Sequence, residues 1–201
     1  MRDRPAPAVP QGKKAQILAA LIGMLDTPGP ARVTTAALAE QLGQSEAALY
    51  RHFASKSALF EALIEHIEAL LFEDLLHIEA TEPNGRLRLR KQLHALLHFS
   101  DRNHGLTRVL TGEALATEHP ALLERLNVLF MAVQDGLQRS AELAIGDGSA
   151  DSSAALCAEG SAMSYANLLA TWAQGCWHRQ TQTGWAVTAD DYERQFALLG
   201  L

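Results

Sequence analysis

The chain is poor in cysteine and lacks the short motifs that announce catalysis. Its two cysteines, Cys157 and Cys176, stand outside any CxxC pair and are too few to staple 201 residues together. Both are therefore expected as free thiols in a reducing cytoplasm. There is no HExxH, no glycine-rich phosphate loop and no recognisable Ser/His/Asp arrangement, so an enzyme is not expected. No apolar run approaches the about 20 residues that a bilayer-spanning helix needs. The first residues, MRDRPAPAVPQGKK, carry charge and proline instead of the apolar core of a secretory signal. Alternating β-branched stretches are also missing, so no strand competes with helix. With 48% apolar and 20% charged residues, wholesale disorder is excluded as well.

What is present is helical periodicity, broken by proline and glycine. Ile17, Leu18, Leu21, Ile22 and Leu25 share one helical face, which Pro28-Gly29-Pro30 ends. A short helix is predicted from Thr35 to Leu42, with Thr34 as its cap and Gly43 in the left-handed position after it. Ser45 caps a third, Glu46 to about His52, and Ser55 a long fourth that reaches about Ile78. Further helices are expected over about 86–99, briefly from Leu106, from Pro120 to about Ile145, over about 151–179, and over about 189–199. Gly146-Asp147-Gly148-Ser149 reads as a flexible connection.

The net charge of -6 is unevenly spread. Residues 1–56 carry seven Lys/Arg against four acids, a net of +3, while residues 57–201 carry ten against nineteen, a net of -9. Phosphate binding answers to the local field, so the N-terminal end is the candidate nucleic-acid face. Within it, residues 34–53 (TTAALAEQLGQSEAALYRHF) describe two short helices joined through Gly43-Gln44, the spacing of a helix-turn-helix. Projection with Leu49 inward places Phe53 beside it and turns Gln44, Ala47, Ala48, Tyr50 and Arg51 outward. Leu38, Leu42, Leu49 and Phe53 are expected to fix the angle between the helices. Thr34, Ser45, Tyr50, His52 and Lys56 are the candidate phosphate contacts, through side-chain hydroxyls or helix N-termini, and Thr35 is a further candidate DNA contact. Arg51 and the exposed start of the second helix are the candidate base contacts. The same spacing also occurs in ordinary helical hairpins, so by itself it leaves DNA binding open.

Val33, Leu38-Ala39, Gly43, the run Ser45-Glu46-Ala47-Ala48-Leu49-Tyr50-Arg51-His52-Phe53 and Ser55-Lys56 resemble the DNA-binding domain of TetR-family regulators. Leu63-Ile64-Glu65, Ile67-Glu68, Arg86-Leu87-Arg88-Leu89 and the stretch from Asp101 to Gly112 are similar to the SlmA branch of nucleoid-occlusion factors. The likeness extends over about residues 13–140. It implies an all-α TetR-like fold: a flexible basic arm at 1–12, a three-helix DNA-binding domain at 13–56, and a helical regulatory and dimerisation domain at 57–201. It also implies a homodimer on palindromic double-stranded DNA that antagonises the division protein FtsZ while DNA-bound, in the cytoplasm and at the nucleoid. Arg102 and Asn103 match the family's partner-binding surface. His66 stands where the family type has Phe, Asp74 where it has Arg, and His98 where it has Gly.

A TetR-type repressor with an inducer pocket is the alternative reading. Phe130, Met131, Met163, Trp172, Trp177 and Trp185 are its candidate lining for a small-molecule inducer. His94 and His98, four apart on one helix, have the spacing of metal ligands, but no third ligand is visible beside them. Solvated or core histidines are the expectation there, with no metal and no cofactor.

Overall fold

The computed structural model describes residues 12–27, 33–115, 120–148 and 161–201. The expected basic arm up to Gln11, Pro28-Gly29-Pro30, Ser149, the first turns of the 151–179 helix and Cys157 lie outside them. Among the described residues all regular structure is helical: α1 (Lys13–Asp26), α2 (Thr35–Gln41), α3 (Glu46–Tyr50), α4 (Lys56–Thr81), α5 (Gly85–Arg102), α6 (His104–Leu110), α7 (Pro120–Gly146), α8 (Ser161–Thr183) and α9 (Ala189–Glu193). Tight helical turns follow at Glu113–Leu115 and Phe196–Leu199. No helix among these residues is long and apolar enough to cross a membrane.

The chain divides into two compact units, Met1–Leu70 with Asn103–Leu126, and Leu71–Arg102 with Asn127–Leu201. In the first, Ile17, Leu21, Leu38, Leu49, Leu63, Ile64 and Val109 are among the side chains removed from water. Each contributes roughly 1.5–3 kcal/mol relative to exposure. The C-terminal end of α1 is held by α6. Gly105 N donates to Asp26 Oδ1 at 2.6 Å, and Arg108 Nη1 donates to the carbonyls of Leu25 and Thr27 at 2.8 and 3.1 Å. A cation at carbonyls that have no helical partner satisfies them and suits the dipole. Glu68 and Arg125 form a largely buried ion pair in the same unit.

In the second unit α5 packs its Leu89, Leu93, Leu96 and Leu97 inward. Trp177 of α8 is only 2% exposed, and its indole Nε1 donates to Leu96 O at 2.8 Å. Asp101, in the last turn of α5, accepts from Gln180 Nε2 on α8 at 2.7 Å and from Ala189 N at the start of α9 at 2.8 Å. α5 therefore runs on to Arg102, past its expected end near Phe99, and only Asn103 separates it from α6. Cys176 is buried, which pushes its thiol up to about 12 and leaves it unreactive at neutral pH.

The start of α5 lies against the backbone of α7. Gly85 N donates to Asp147 Oδ2 at 2.7 Å, and a Cβ on Gly85 would collide with the backbone of Leu143 and Ala144. Only the absence of a side chain permits this approach. Gly85→Ala is expected to lose about 1–3 kcal/mol through forced separation of the helices. Gly23→Ala on α1, where an added Cβ meets nothing within 4 Å, should gain about 0.5–1 kcal/mol of helix propensity. Urea midpoints of the two variants, moving in opposite directions, check the assignment.

Candidate nucleic-acid interface

α2 and α3 are short, so their ends matter more than their lengths. Thr34 Oγ1 accepts from Ala37 N at 3.1 Å and Ser45 Oγ from Ala48 N at 3.3 Å, each closing an orphan donor at a helix start. Gly43 has φ 62°, the left-handed geometry that lets the chain turn between them. Leu38, Leu49 and Phe53 are buried beneath the pair. Leu42 is only half-buried and contributes less to that core than expected. Ser55 Oγ accepts from Ala58 N at 3.0 Å and caps α4 in the same way.

Of the candidate contact residues, Thr34, Ser45, Ala47, Tyr50 and Arg51 are exposed, and Thr35, Ala48, His52 and Lys56 are half-buried. Gln44, expected to point outward, is half-buried with its Nε2 enclosed. Its backbone N closes the end of α2 on Ala39 O at 3.0 Å, which draws the residue into the turn. α3 stops at Tyr50, with Arg51 and His52 in the turn that follows. The projection did not reveal a polar seam between the helices. Thr35 Oγ1 donates to Glu46 Oε2 at 2.7 Å, and Tyr50 Oη, on a ring 42% exposed, donates to Thr35 Oγ1 at 3.4 Å. This seam fixes Thr35 and Tyr50 in register on the outer face. Lys56 lies over the Phe60 ring at 5.7 Å, and Lys14 of α1, which the motif could not indicate, over Phe53 at 5.5 Å.

The residues expected to meet a protein partner are placed separately. His66 is half-buried in the first unit with Nδ1 unpartnered, and burial lowers its pKa from 6.5. Asn103 is the residue between α5 and α6, and its carbonyl accepts from Thr107 N and Oγ1 at 2.9 and 2.8 Å. In the second unit Arg102 is exposed, donates from Nε to His98 O at 3.1 Å, and faces Asp74 Oδ2 at 3.9 Å. These two line an open cleft of about 350 Å³ with His77 and Ile78 of α4 and Lys91, His94 and Ala95 of α5.

Of the side chains that the alternative reading assigns to an inducer pocket, Phe130 and Trp177 pack together with ring centroids 6.3 Å apart, while the others lie elsewhere. Met131 and Met163 are 65% and 56% exposed. Trp172 packs edge-on to Tyr192 and Phe196, with ring centroids 6.2 and 6.0 Å away. Trp185, at φ 59°, donates its indole N–H to Ser100 Oγ at 3.1 Å. With Trp177 bonded to Leu96, Trp177 and Trp185 work as polar-tipped packing groups, which is where indoles settle when a partner carbonyl or hydroxyl is within reach.

Two capped helices set across a left-handed turn, with small and hydrogen-bonding side chains outward, define a helix-turn-helix protein. Residues 17–63 match the model of bacterial regulatory proteins of the tetR family, and residues 84–192 match that of the tetracyclin repressor-like C-terminal domain of SlmA-like proteins. The chain belongs to the TetR family of bacterial regulatory proteins. It is 46% identical over 134 residues to a protein from Alteromonas mediterranea named nucleoid occlusion factor SlmA, covering 66% of this chain and 69% of that one. A protein of the same name from Vibrio campbellii is 47% identical over 128 residues, covering 63% and 65%. The chain thus matches about two thirds of the length of these relatives. Among solved structures, a TetR transcription regulator from Haloarcula marismortui superposes with a TM-score of 0.76 at 20% identity, over 93% of this chain and 95% of that one.

Ser45→Ala removes the cap of α3 and is expected to cost about 1 kcal/mol of stability. Ser45→Asp should retain it, because a carboxylate at the same position accepts the same N–H. Thermal denaturation of the pair separates the capping role from any other use of the hydroxyl.

Proposed function

We propose that this protein binds palindromic double-stranded DNA as a homodimer and, while bound, antagonises FtsZ assembly, so that septa do not close over the chromosome. The observation that carries the DNA half is the outer face of α2 and α3, where Ala47, Tyr50 and Arg51 stand exposed on a rigidly capped frame. Thr34, Thr35, Ser45, Tyr50, His52 and Lys56 hold phosphates, and Ala47, Ala48 and Arg51 face the bases, with Gln44 beside them at the turn. Large apolar side chains left exposed on α7 and α8 (Val128, Met131, Met163, Leu168) support a second copy of the chain as partner. A twofold pair then meets half-sites about one helical turn apart, or a multiple of it.

The FtsZ half rests on the names of the relatives and on the cleft. An exposed ion pair such as Arg102–Asp74 is worth only about 0–1 kcal/mol, so a carboxylate on a partner segment can take the guanidinium from Asp74 at little cost. His66 and Asn103, which belong to the first unit, are proposed separately as partner contacts. α4 begins at Lys56 and also supplies Asp74, His77 and Ile78 to the cleft, which makes it the element through which DNA occupancy biases partner binding. Such a protein works in the cytoplasm, on the nucleoid.

Two substitutions test the halves apart. Lys56→Ala should weaken binding to all DNA sequences alike and reduce the salt dependence by about one unit of slope. A changed site preference at constant slope would assign Lys56 to base reading instead. Arg102→Asp should keep DNA affinity and abolish the effect on FtsZ polymers in sedimentation assays run with and without the DNA site. Equal loss of both activities would make Arg102 a structural residue.

A further inference from the structure

α5 and α9 bring two imidazoles and a carboxylate to one point. His94 and His98 stand a turn apart on α5 with ring centroids 4.1 Å apart. Glu193 Oε1, from α9, lies 3.2 Å from His94 Nε2 and 3.0 Å from His98 Nε2. One candidate ligand atom from each of the three residues falls within 4.8 Å of the others. Asp190, a turn earlier on α9, has Oδ1 at 3.7 Å from His98 Nε2.

We propose that His94, His98 and Glu193 bind a divalent transition-metal ion of the Zn²⁺ type, with Asp190 or water in the fourth position. The donor set selects the class of ion. Two imidazole nitrogens and a carboxylate suit Zn²⁺, Co²⁺, Ni²⁺ or Cu²⁺, whereas Mg²⁺ and Ca²⁺ call for oxygen. The spacing fits as well. Bonds of about 2.0–2.1 Å at tetrahedral angles put ligand atoms about 3.3 Å apart, close to the two nitrogen–oxygen separations already present. With neutral imidazoles the cluster carries one negative charge from Glu193 and a second from Asp190, which favours a dication over a vacant set of dipoles.

The arrangement is also built in advance of any ion. α9 is fixed to α5 through Asp101, which accepts from its first backbone N–H. Its start is closed by reciprocal bonds between Thr188 and Asp191. The buried Tyr192 and Phe196 hold its other side against Trp172. Glu193 is thus presented to the histidines by packing that has nothing to do with metal, and little ordering remains to be done on binding. His94 also lines the cleft beside Lys91 and Arg102, so an ion here adds positive charge at the cleft's edge and fixes the His94 ring.

The test uses the full chain, without a polyhistidine tag and stripped with chelator, titrated with Zn²⁺ against a chromophoric competitor. One Zn²⁺ per chain is expected, with affinity falling at least about tenfold in His94→Ala and in Glu193→Gln. The thermal midpoint should rise with Zn²⁺ in the native chain and not in those variants, while Mg²⁺ leaves it unchanged. His94 is exposed and Gln keeps the shape of Glu, so neither change threatens folding, and circular dichroism verifies that. Absence of Zn²⁺ binding, or the same affinity in both variants, would overturn the proposal and leave the cluster as histidine–carboxylate hydrogen bonds.

Discussion

The second unit depends on one carboxylate. Asp101 uses its two oxygens on two different helices, Oδ1 on the Gln180 side chain of α8 and Oδ2 on the first N–H of α9. Hydrogen bonds to a charged acceptor are worth about 1.5–3 kcal/mol each, more than any exposed ion pair in the unit. They act where the geometry is most consequential. Asp101 lies one residue before Arg102, at the open end of the cleft, and one turn after His98. Replacing it with an apolar residue would free α9 from α5 and take Glu193 away from both histidines. Trp177 and Trp185 then bond Leu96 O and Ser100 Oγ of the same helix, so α5 is gripped along its last two turns by groups that come from α8 and the loop after it.

In the first unit the comparable role falls to the end of α1. Arg108 and the Gly105 N–H occupy groups at the C-terminal end of α1, namely two carbonyls and the Asp26 carboxylate, which would otherwise need water. That end also leads, through residues outside the described set, to Val33 and the helix-turn-helix. α1 in turn supplies Ile17, Leu18 and Leu21 to the core beneath Leu38 and Leu49. The exposed face of α3 is therefore set by packing behind it, and its polar seam through Thr35, Glu46 and Tyr50 is a surface refinement of an angle already fixed by leucines.

What could be read from the residues follows from how local the cause is. Thr34, Ser45 and Ser55 cap their helices as their positions suggest, since a cap involves only the next three residues. Gly43 adopts the left-handed turn and Pro120 opens α7 for equally local reasons. Gln44 was misread because a helical projection assigns a direction to a residue that belongs to the turn, where the backbone leaves the helical path. For Trp177 and Trp185, aromatic content near helical spacing leaves a cavity wall and a core equally open, and only contacts distant in sequence decide for the core. Their partners, Leu96 and Ser100, lie some eighty residues away. Glu193 escaped notice for the same reason, standing 95 residues from His98. Nothing local indicates that α6 packs on α1, an arrangement made by Gly105 and Arg108, or that Arg125 pairs with Glu68 in the same unit.

His94 belongs to two neighbourhoods at once, and this has an energetic consequence. It borders the cleft with Arg102 and Lys91, and it shares Glu193 with His98. An imidazole held by Glu193 alone can leave it for a hydrogen bond to a guest in the cleft. One held by an ion has its Nε2 committed to the metal. A guest that needs the His94 ring must then compete with the ion, and a guest that needs positive charge at the cleft's edge must bind better in its presence. By reciprocity, whichever effect the ion has on the guest, the guest has in equal measure on the ion. Lys91 is paired with Glu82 at 2.6 Å and Arg102 faces Asp74 at 3.9 Å, so the cleft's own charges are largely compensated and an acidic guest gains from a dication added at its edge. It loses only one imidazole contact, so the coupling between ion and acidic guest is positive.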